Sequence, residues 1–268
     1  MTELPREYDH RSISLEPIAM VALDAGRMAM EVGASGRSVE KIVETVARGL
    51  GATRVDLRIG YASLDITVGV GESGITRMRK VGRIGVNQRF DHQLWDLAGR
   101  VSRQKLTPEQ TRDGLACLAT DTPHHAPWLV ALAVGLACVA FSRLLGADWY
   151  GALPVFIAST LGQYLRGKLL HRHTNVFIAT TFVAFVSSVI AGSGAQWAGS
   201  ETSPLAMVAS ILMLVPGVPA LNAQSDILEG LPTLGSARVV TVVMTLVFMA
   251  AGLWAGEAIL SYLQWIRT

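Results

Sequence analysis

The chain has 268 residues, 50% of them hydrophobic, and its formal net charge of +2 at pH 7 is too small to indicate a nucleic-acid-binding protein. Its two cysteines, Cys117 and Cys138, do not suggest a disulfide framework. Of the 23 basic and 21 acidic residues, 33 precede position 124. We therefore predict a cytosolic domain over residues 1–123 and a membrane domain over residues 124–268.

The N-terminal domain is predicted to begin with a polar stretch and two helices. Residues 1–10 contain no apolar run of the kind found in signal peptides, so we expect this domain to remain in the cytosol. Apolar residues recur at helical spacing across residues 15–51, and the sequence Gly33-Ala-Ser-Gly36 interrupts them. The interruption predicts two consecutive helices with a glycine-rich break between them.

Short strands are predicted next. Alternating apolar residues favour strands over 53–59, 62–70 and 75–81, with a hairpin turn at the sequence Gly71-Glu-Ser-Gly74. Because a strand follows this turn, we do not interpret its glycines as a nucleotide-binding loop. The domain is thus predicted to be of the α+β class.

Two further helices are predicted to complete the domain, over residues 90–103 and 107–120. The second has Thr107 at its cap, Pro108 at its first position and Gln110 at its third, which is the pattern of a capping box.

The rest of the chain is predicted to be an α-helical membrane domain with five transmembrane helices, each near the ~20 residues that a spanning helix needs. The apolar segments cover approximately residues 128–145, 149–165, 176–194, 205–221 and 239–260. Residues 166–173 contain three Lys and Arg residues, whereas residues 194–204 contain none. The positive-inside rule therefore places the N-terminus in the cytoplasm and the C-terminus outside.

The fourth apolar segment is interrupted. Residues 205–215 would rise only ~16 Å as a helix, which is too short for a hydrocarbon core of ~30 Å. The breaking and polar residues that follow are Pro216, Gly217, Pro219, Asn222, Gln224, Asp226 and Glu229. Two interpretations fit: a broken helix whose polar groups face a transport pathway, or an ordinary helix end followed by a solvated turn.

The last apolar segment and the linker before the membrane domain contain other notable residues. Glu257 lies within the segment, where an ionisable side chain indicates either a proton carrier or a group that extends to the interface. Gly252 and Gly256 form a G-x-x-x-G pattern, which permits close helix packing. His124 and His125 are adjacent, so their side chains would diverge in a helix or strand, and no cysteine lies nearby. We therefore expect them to lie at the membrane interface rather than to bind a metal.

These motifs together resemble a known family. The sequence Gly33-Ala-Ser-Gly36 is followed by Glu40, a small αβ domain and five spans that contain Pro-Gly-Val-Pro, Asp226 and Gly230. In this order the chain resembles the threonine/serine exporter family over nearly its whole length. Fused members of that family carry about twice as many spans, so the chain is similar to the larger subunit of the split form, which is associated with succinate export.

The resemblance implies a subunit of a secondary exporter in the bacterial inner membrane, with a succinate-type dicarboxylate or threonine and serine as substrate. No ATP-binding motif is present, so an ion or membrane gradient would supply the energy, and we expect no cofactor. It also implies a short membrane partner. A related five-span partner would lie inverted in the bilayer and complete a midplane site, so we expect a hetero-oligomer that does not transport as this chain alone.

Candidate roles follow from the residue types. Backbone amides near the helix break would receive a substrate carboxylate, Arg166 or Arg238 would pair with a dicarboxylate, and Asp226 would bind an ammonium group or carry a proton. The expected substrate-binding residues are Pro216, Gly217, Asn222, Gln224, Asp226 and Arg166, and the expected proton- or ion-coupling residues are Asp226 and Glu257.

Two alternatives from other classes remain open. The N-terminal domain contains residue types for nucleophilic catalysis, namely Ser35, Ser38, Ser73, Asp91 and His92. No nucleophile-elbow spacing joins them, which argues against a membrane-anchored hydrolase. The other alternative is a regulatory subunit whose cytosolic domain senses a ligand.

Overall fold

The computed structural model describes residues 15–121 and 125–267. The predictions for residues 1–10 and for His124 therefore lie outside the described residues. By their internal contacts the residues form two units, Met1–Thr122 with Val218–Val239, and Pro123–Gly217 with Val240–Thr268. The division into domains at residue 123 stays a prediction, and residues 218–239 group with the N-terminal residues.

The secondary structure follows the chain in a simple order. The first elements are α1 (Leu15–Glu31), α2 (Gly36–Gly49), β1 (Arg54–Ile59), β2 (Ser63–Val70), β3 (Ser73–Lys80), α3 (Gln88–Gln104) and α4 (Pro108–Asp121). The remaining elements are α5 (Pro127–Leu144), α6 (Ala152–His171), α7 (Val176–Trp197), α8 (Ser203–Ser210), a 3₁₀ turn (Leu212–Leu214), α9 (Gly217–Leu228) and α10 (Pro232–Arg267).

The first unit is built around α1, which packs its apolar face on α2 and on the sheet. Side chains such as Leu23, Ile42, Leu64 and Ile66 are fully buried in this core. The predicted pair of helices with a break at residues 33–36 is confirmed. Burial of these faces provides the main stabilisation, since each fully buried Leu or Ile contributes about 1.5–3 kcal/mol.

The sheet is antiparallel with strand order β1-β2-β3, and all three predicted strands are confirmed. Val70 pairs with Ser73 across a two-residue turn, where Gly71 has a φ of +59°. A positive φ at this position suits glycine in tight hairpins, which explains the glycine-rich turn. The predicted strand after the turn is present.

The two helices predicted over residues 90–103 and 107–120 are confirmed as α3 and α4. The capping box is formed in both directions. The Gln110 N–H donates to the Thr107 hydroxyl at 3.2 Å, and the Thr107 N–H donates to the Gln110 side-chain oxygen at 3.0 Å. Two amide donors that the first turn of α4 leaves unpaired are thereby satisfied.

The second unit consists of α5 to α8 and most of α10. Its buried interior contains many small side chains, including Ala158, Ala184, Ser187 and Ser188. Small residues allow membrane helices to approach closely. The G-x-x-x-G pattern serves this purpose inside the unit, because a Cβ on Gly252 would lie 2.3 Å from the carbonyl oxygen of Thr181 on α7.

The interruption of the fourth apolar segment is confirmed. Helix α8 ends at Ser210, the 3₁₀ turn follows, and Val215 is extended with a ψ of 122° before α9 begins. A proline has no amide hydrogen to donate to the preceding turn, so Pro216 explains why the helical hydrogen bonds do not continue through this point. The chain is therefore not a continuous helix between residues 203 and 228.

Membrane-crossing helices are evident by length and composition. Within the described residues, three are long and apolar enough, at Pro127–Leu144, Val176–Trp197 and Pro232–Ile266. The interrupted pair Ser203–Leu214 and Gly217–Leu228 gives a fourth if its halves form one span. Helix α6 is not among these candidates, and its C-terminal part carries Arg166 and Lys168. The number of five spans accordingly stays a prediction.

Candidate functional site

The start of α2 provides the backbone half of the candidate site. Gly33 has a φ of +90°, and a Cβ there would lie 2.6 Å from the carbonyl oxygen of Gly85, so glycine is required at this turn. Ser35 is the N-cap of α2, and its hydroxyl accepts the Ser38 N–H. The Gly36 N–H is an unpaired donor of the first turn and is therefore available to a group from another segment.

Asp226 on α9 supplies that group. Its side chain is 0% exposed, and Oδ1 accepts the Gly36 N–H at 2.7 Å, across 190 residues of sequence. A carboxylate at a helix N-terminus is favoured by the positive end of the helix dipole. The two motifs that carry the family resemblance, the glycine-rich break and the Asp226 stretch, therefore contact each other directly.

Arg238 near the start of α10 neutralises the carboxylate. The arginine is 4% exposed, and Nη1 lies 2.9 Å from Asp226 Oδ2, close enough for an ion pair but without the alignment of a hydrogen bond. Its Nη2 donates to the Ala34 carbonyl at 2.9 Å and lies 3.6 Å from Met30 Sδ. A buried carboxylate and a buried guanidinium thus hold the break between α1 and α2.

Asn222 adds a further bond to the same turn, since its Nδ2 donates to the Gly33 carbonyl at 2.7 Å. Glu229, one turn beyond Asp226, has Oε2 4.0 Å from Arg37 Nε. Gln224 is exposed. Of the side chains predicted on this helix, the structure therefore joins Asp226 and Asn222 to one site and leaves Gln224 outside it.

The site is tightly packed around Gly36. A Cβ at this position would lie 2.4 Å from Leu231 Cδ1, 3.0 Å from Leu234 Cδ2 and 3.1 Å from Asp226 Oδ1. A contact below 3.0 Å forces neighbouring atoms to move. The leucines at the turn between α9 and α10 therefore close over the hydrogen bond between Gly36 and Asp226.

The residues at the helix break have a backbone role. Pro216 is half-buried, and the Gly217 N–H donates to the Val215 carbonyl at 2.9 Å. A Cβ on Gly217 would meet nothing within 4 Å, and its φ is not positive, so this glycine is not needed for the turn. The positive φ in this stretch is at Gly230, just after α9.

Arg166 and Glu257 belong to the second unit. Arg166 is half-buried near the end of α6, and Glu257 is exposed on α10. Within the described part of the chain, neither side chain forms an ion pair or a hydrogen bond. Their proposed roles in substrate binding and proton transfer stay predictions.

Sequence reasoning named Arg238 only as one of two possible cations for a dicarboxylate. A stronger signal was available, because an arginine in an apolar helix requires a partner and Asp226 lies only 12 positions before it. The geometry also shows that Asp226 faces protein groups rather than an open pathway. A buried carboxylate needs such partners because leaving it unpaired in an apolar medium is costly.

The residues of the hydrolase alternative have other roles or environments. Ser35 caps α2, and the His92 side chain is 81% exposed with Nε2 3.8 Å from Asp96. Burial raises the pKa of Asp91, and the nearby His92 opposes that shift. In the described residues, no group of three His, Cys, Asp or Glu side chains is arranged to hold a metal ion.

Comparison with known proteins agrees with the resemblance. Residues 20–260 match the family described as "Putative threonine/serine exporter". A stretch of 56 residues is 46% identical to the "Probable succinate transporter subunit YjjP" of Klebsiella aerogenes, over 20% of this chain and 22% of that protein. No solved structure matches the chain. The chain belongs to the threonine/serine exporter family, which is a family of membrane transporters rather than of enzymes.

Proposed function

We propose that this chain is one subunit of a secondary exporter for small carboxylate metabolites, either a succinate-type dicarboxylate or threonine and serine. The family match supports export of amino acids, and the printed name of the Klebsiella relative supports succinate. Both substrate classes carry a carboxylate, which is the group that a guanidinium binds best.

The observation that carries this proposal is the ion pair between Asp226 and Arg238 beside an interrupted apolar helix. A substrate carboxylate can replace Asp226 at the Arg238 guanidinium only if the Asp226 carboxylate is neutralised or displaced. Protonation of Asp226 would do this, because a neutral carboxyl group no longer pairs with the arginine. Binding of substrate and binding of a proton would then be coupled at one residue.

The remaining predicted residues fit around this exchange. Asn222 and the Gly36 N–H are the neutral donors next to Asp226. Gln224, Pro216, Gly217 and Arg166 would meet the substrate along its path, and Glu257 would carry a proton at another depth. These roles depend on conformations in which the buried pair opens, as alternating access requires.

We further propose a hetero-oligomer in the bacterial inner membrane, with the N-terminus in the cytoplasm and the C-terminus outside. The word "subunit" in the name of the relative supports a partner. An inverted five-helix partner would supply the second wall of a midplane site. Production of this chain alone should then give no export above background.

The central test measures extracellular succinate, threonine and serine in cells that produce this chain with its partner. Asp226→Asn should lower the export rate at least about tenfold, because the neutral side chain cannot exchange a proton. Glu229→Gln is the matched control, an acid-to-amide change three residues away in the turn that follows α9, and should retain most of the rate. Full export by Asp226→Asn at an unchanged protein level would refute the proposed mechanism.

A further inference from the structure

A cavity of about 550 Å³ lies in the first unit, and neither Asp226 nor Arg238 lines it. One wall is the end of β1 with the turn into β2, and the other is the turn between α9 and α10. Its volume is in the range of small-molecule binding sites, about 300–1,000 Å³. The polar side chains that line it are Arg58, Ser63, Asp65 and Thr233.

The cavity contains two opposite charges that are not paired with each other. Arg58 and Asp65 are Cα partners in the register of β1 and β2, where opposite charges usually attract. Within the described residues, neither side chain forms an ion pair or a hydrogen bond. The cavity therefore offers one free guanidinium and one free carboxylate to a ligand.

The opposite wall is polar as well. The first turn of α10 begins at Pro232, so the Thr233 and Leu234 N–H groups have no carbonyl partner within the helix. Thr233 and Leu234 line the same cavity as Arg58, so this helix start adds to its preference for an anionic group. Leu231 and Leu234 supply apolar contact for the body of a ligand.

We propose that this cavity binds a small zwitterion, whose anionic group meets Arg58 and the start of α10 and whose ammonium group meets Asp65. A dianion of similar size binds less well, because its second carboxylate is repelled by Asp65. The binding of a zwitterion does not depend on the proposed export, whereas the regulatory role of this binding rests on it.

Binding here acts on the ion pair through the turn between α9 and α10. Leu231 and Leu234 line the cavity and also close over Gly36, and the Leu231 N–H donates to the Asp226 carbonyl at 2.8 Å. A ligand that orders this turn stabilises the closed arrangement of Asp226 and Arg238. The cavity is accordingly a regulatory site, since its ligand binds the closed state better than an open one.

Calorimetric titration of the purified full-length chain in detergent tests the site. Threonine is the zwitterionic probe, and succinate is a dianion of similar size. Arg58→Ala should weaken threonine binding about tenfold or more, equivalent to 1.4 kcal/mol or above. Arg54→Ala is the matched control, because Arg54 is an exposed arginine of the same strand and does not line the cavity.

Asp65→Asn identifies the class of ligand. The substitution should weaken threonine binding and strengthen succinate binding, since it removes an attraction for the ammonium group and a repulsion for the carboxylate. Equal threonine affinity in the wild type and Arg58→Ala, or no saturable binding of either probe, would overturn the inference. These outcomes are independent of the export assay, in which Asp226→Asn reports on the proposed function.

Discussion

Two aspartates, one in each unit, hold helix ends in different ways. Asp226 in the first unit is fully buried and pairs one oxygen with a cation and the other with a single amide. Asp148 in the second unit, between α5 and α6, has neutral donors. Its Oδ2 accepts from Ser200 Oγ at 2.8 Å, from Glu201 N at 3.0 Å and from Thr202 N at 3.3 Å, and its Oδ1 accepts the Gly151 N–H at 3.0 Å.

The difference concerns how many partners each charge can lose. Asp148 distributes its charge over four donors, so the loss of one leaves three. Asp226 accepts one hydrogen bond among the described residues, from the Gly36 N–H, so its buried charge depends on Arg238. A carboxylate with one cationic partner, such as Asp226, suits a site that has to switch. A carboxylate with several neutral donors, such as Asp148, suits a fixed connection between loops.

The largest effect is expected from removing one charge of the buried pair. Arg238→Met leaves the Asp226 carboxylate without its cation and should lower the free energy of unfolding by about 3–5 kcal/mol. Combining it with Asp226→Asn should recover most of this loss, because neither charge is then buried unpaired. Thermal unfolding of the purified chain in detergent measures both variants.

The control for these two variants is Arg37→Met. Arg37 is mostly exposed, and its Nε lies 4.0 Å from Glu229 Oε2. Its effect should stay within about 0.5 kcal/mol. If the double variant were as unstable as Arg238→Met, the stability would come from the packing of the arginine stem rather than from charge.

A smaller effect is expected from crowding the same site. Gly36→Ala places a Cβ 2.4 Å from Leu231 Cδ1 and 3.1 Å from Asp226 Oδ1. The leucine has to move and the bond to Asp226 lengthens, which should cost about 1–3 kcal/mol. Gly217→Ala is the matched control and should be close to neutral, because nothing lies within 4 Å of its Cβ. Equal unfolding temperatures for the two variants would contradict the close packing described here.

Local features of this fold were predictable from the sequence. The capping box at Thr107, the hairpin at Gly71 and the helix break at Pro216 each depend on residues within four positions of one another. Propensity and spacing are local properties, so they predict such elements well. The same reasoning predicted the start of the last span at residue 239, whereas α10 begins at Pro232. The buried partner of Arg238 allows the helix to include a charge that would otherwise mark its end.

The connection between Asp226 and Gly36 was not predictable in this way. The two residues are 190 positions apart, and neither one shows its partner in the local pattern. The resemblance to a family named both motifs without indicating that they touch. Only the packing of α9 against the start of α2 explains why a glycine-rich break and a distant carboxylate occur in one chain.

The smallest effect is expected at Asp148, and it should depend on pH. Burial opposes ionisation of this residue, but the hydrogen bonds from Ser200, Gly151 and Thr202 outweigh burial and lower its pKa from 3.8 to about 2. The folded chain therefore holds the charged form more tightly than the unfolded chain, and the stabilisation is present above pH 3.8 and lost as the pH falls through about 2. Asp148→Asn should unfold at a lower temperature than the wild type at pH 7, and this difference should shrink between pH 4 and pH 2.

Glu201→Gln is the comparison for that experiment, because Glu201 is an exposed acid of the same loop that contributes only its backbone N–H to Asp148. It should unfold like the wild type at every pH. A pH-independent difference between Asp148→Asn and the wild type would mean that the side chain acts by shape alone. In that case the contrast between the two aspartates would rest on burial rather than on the number of donors around each charge.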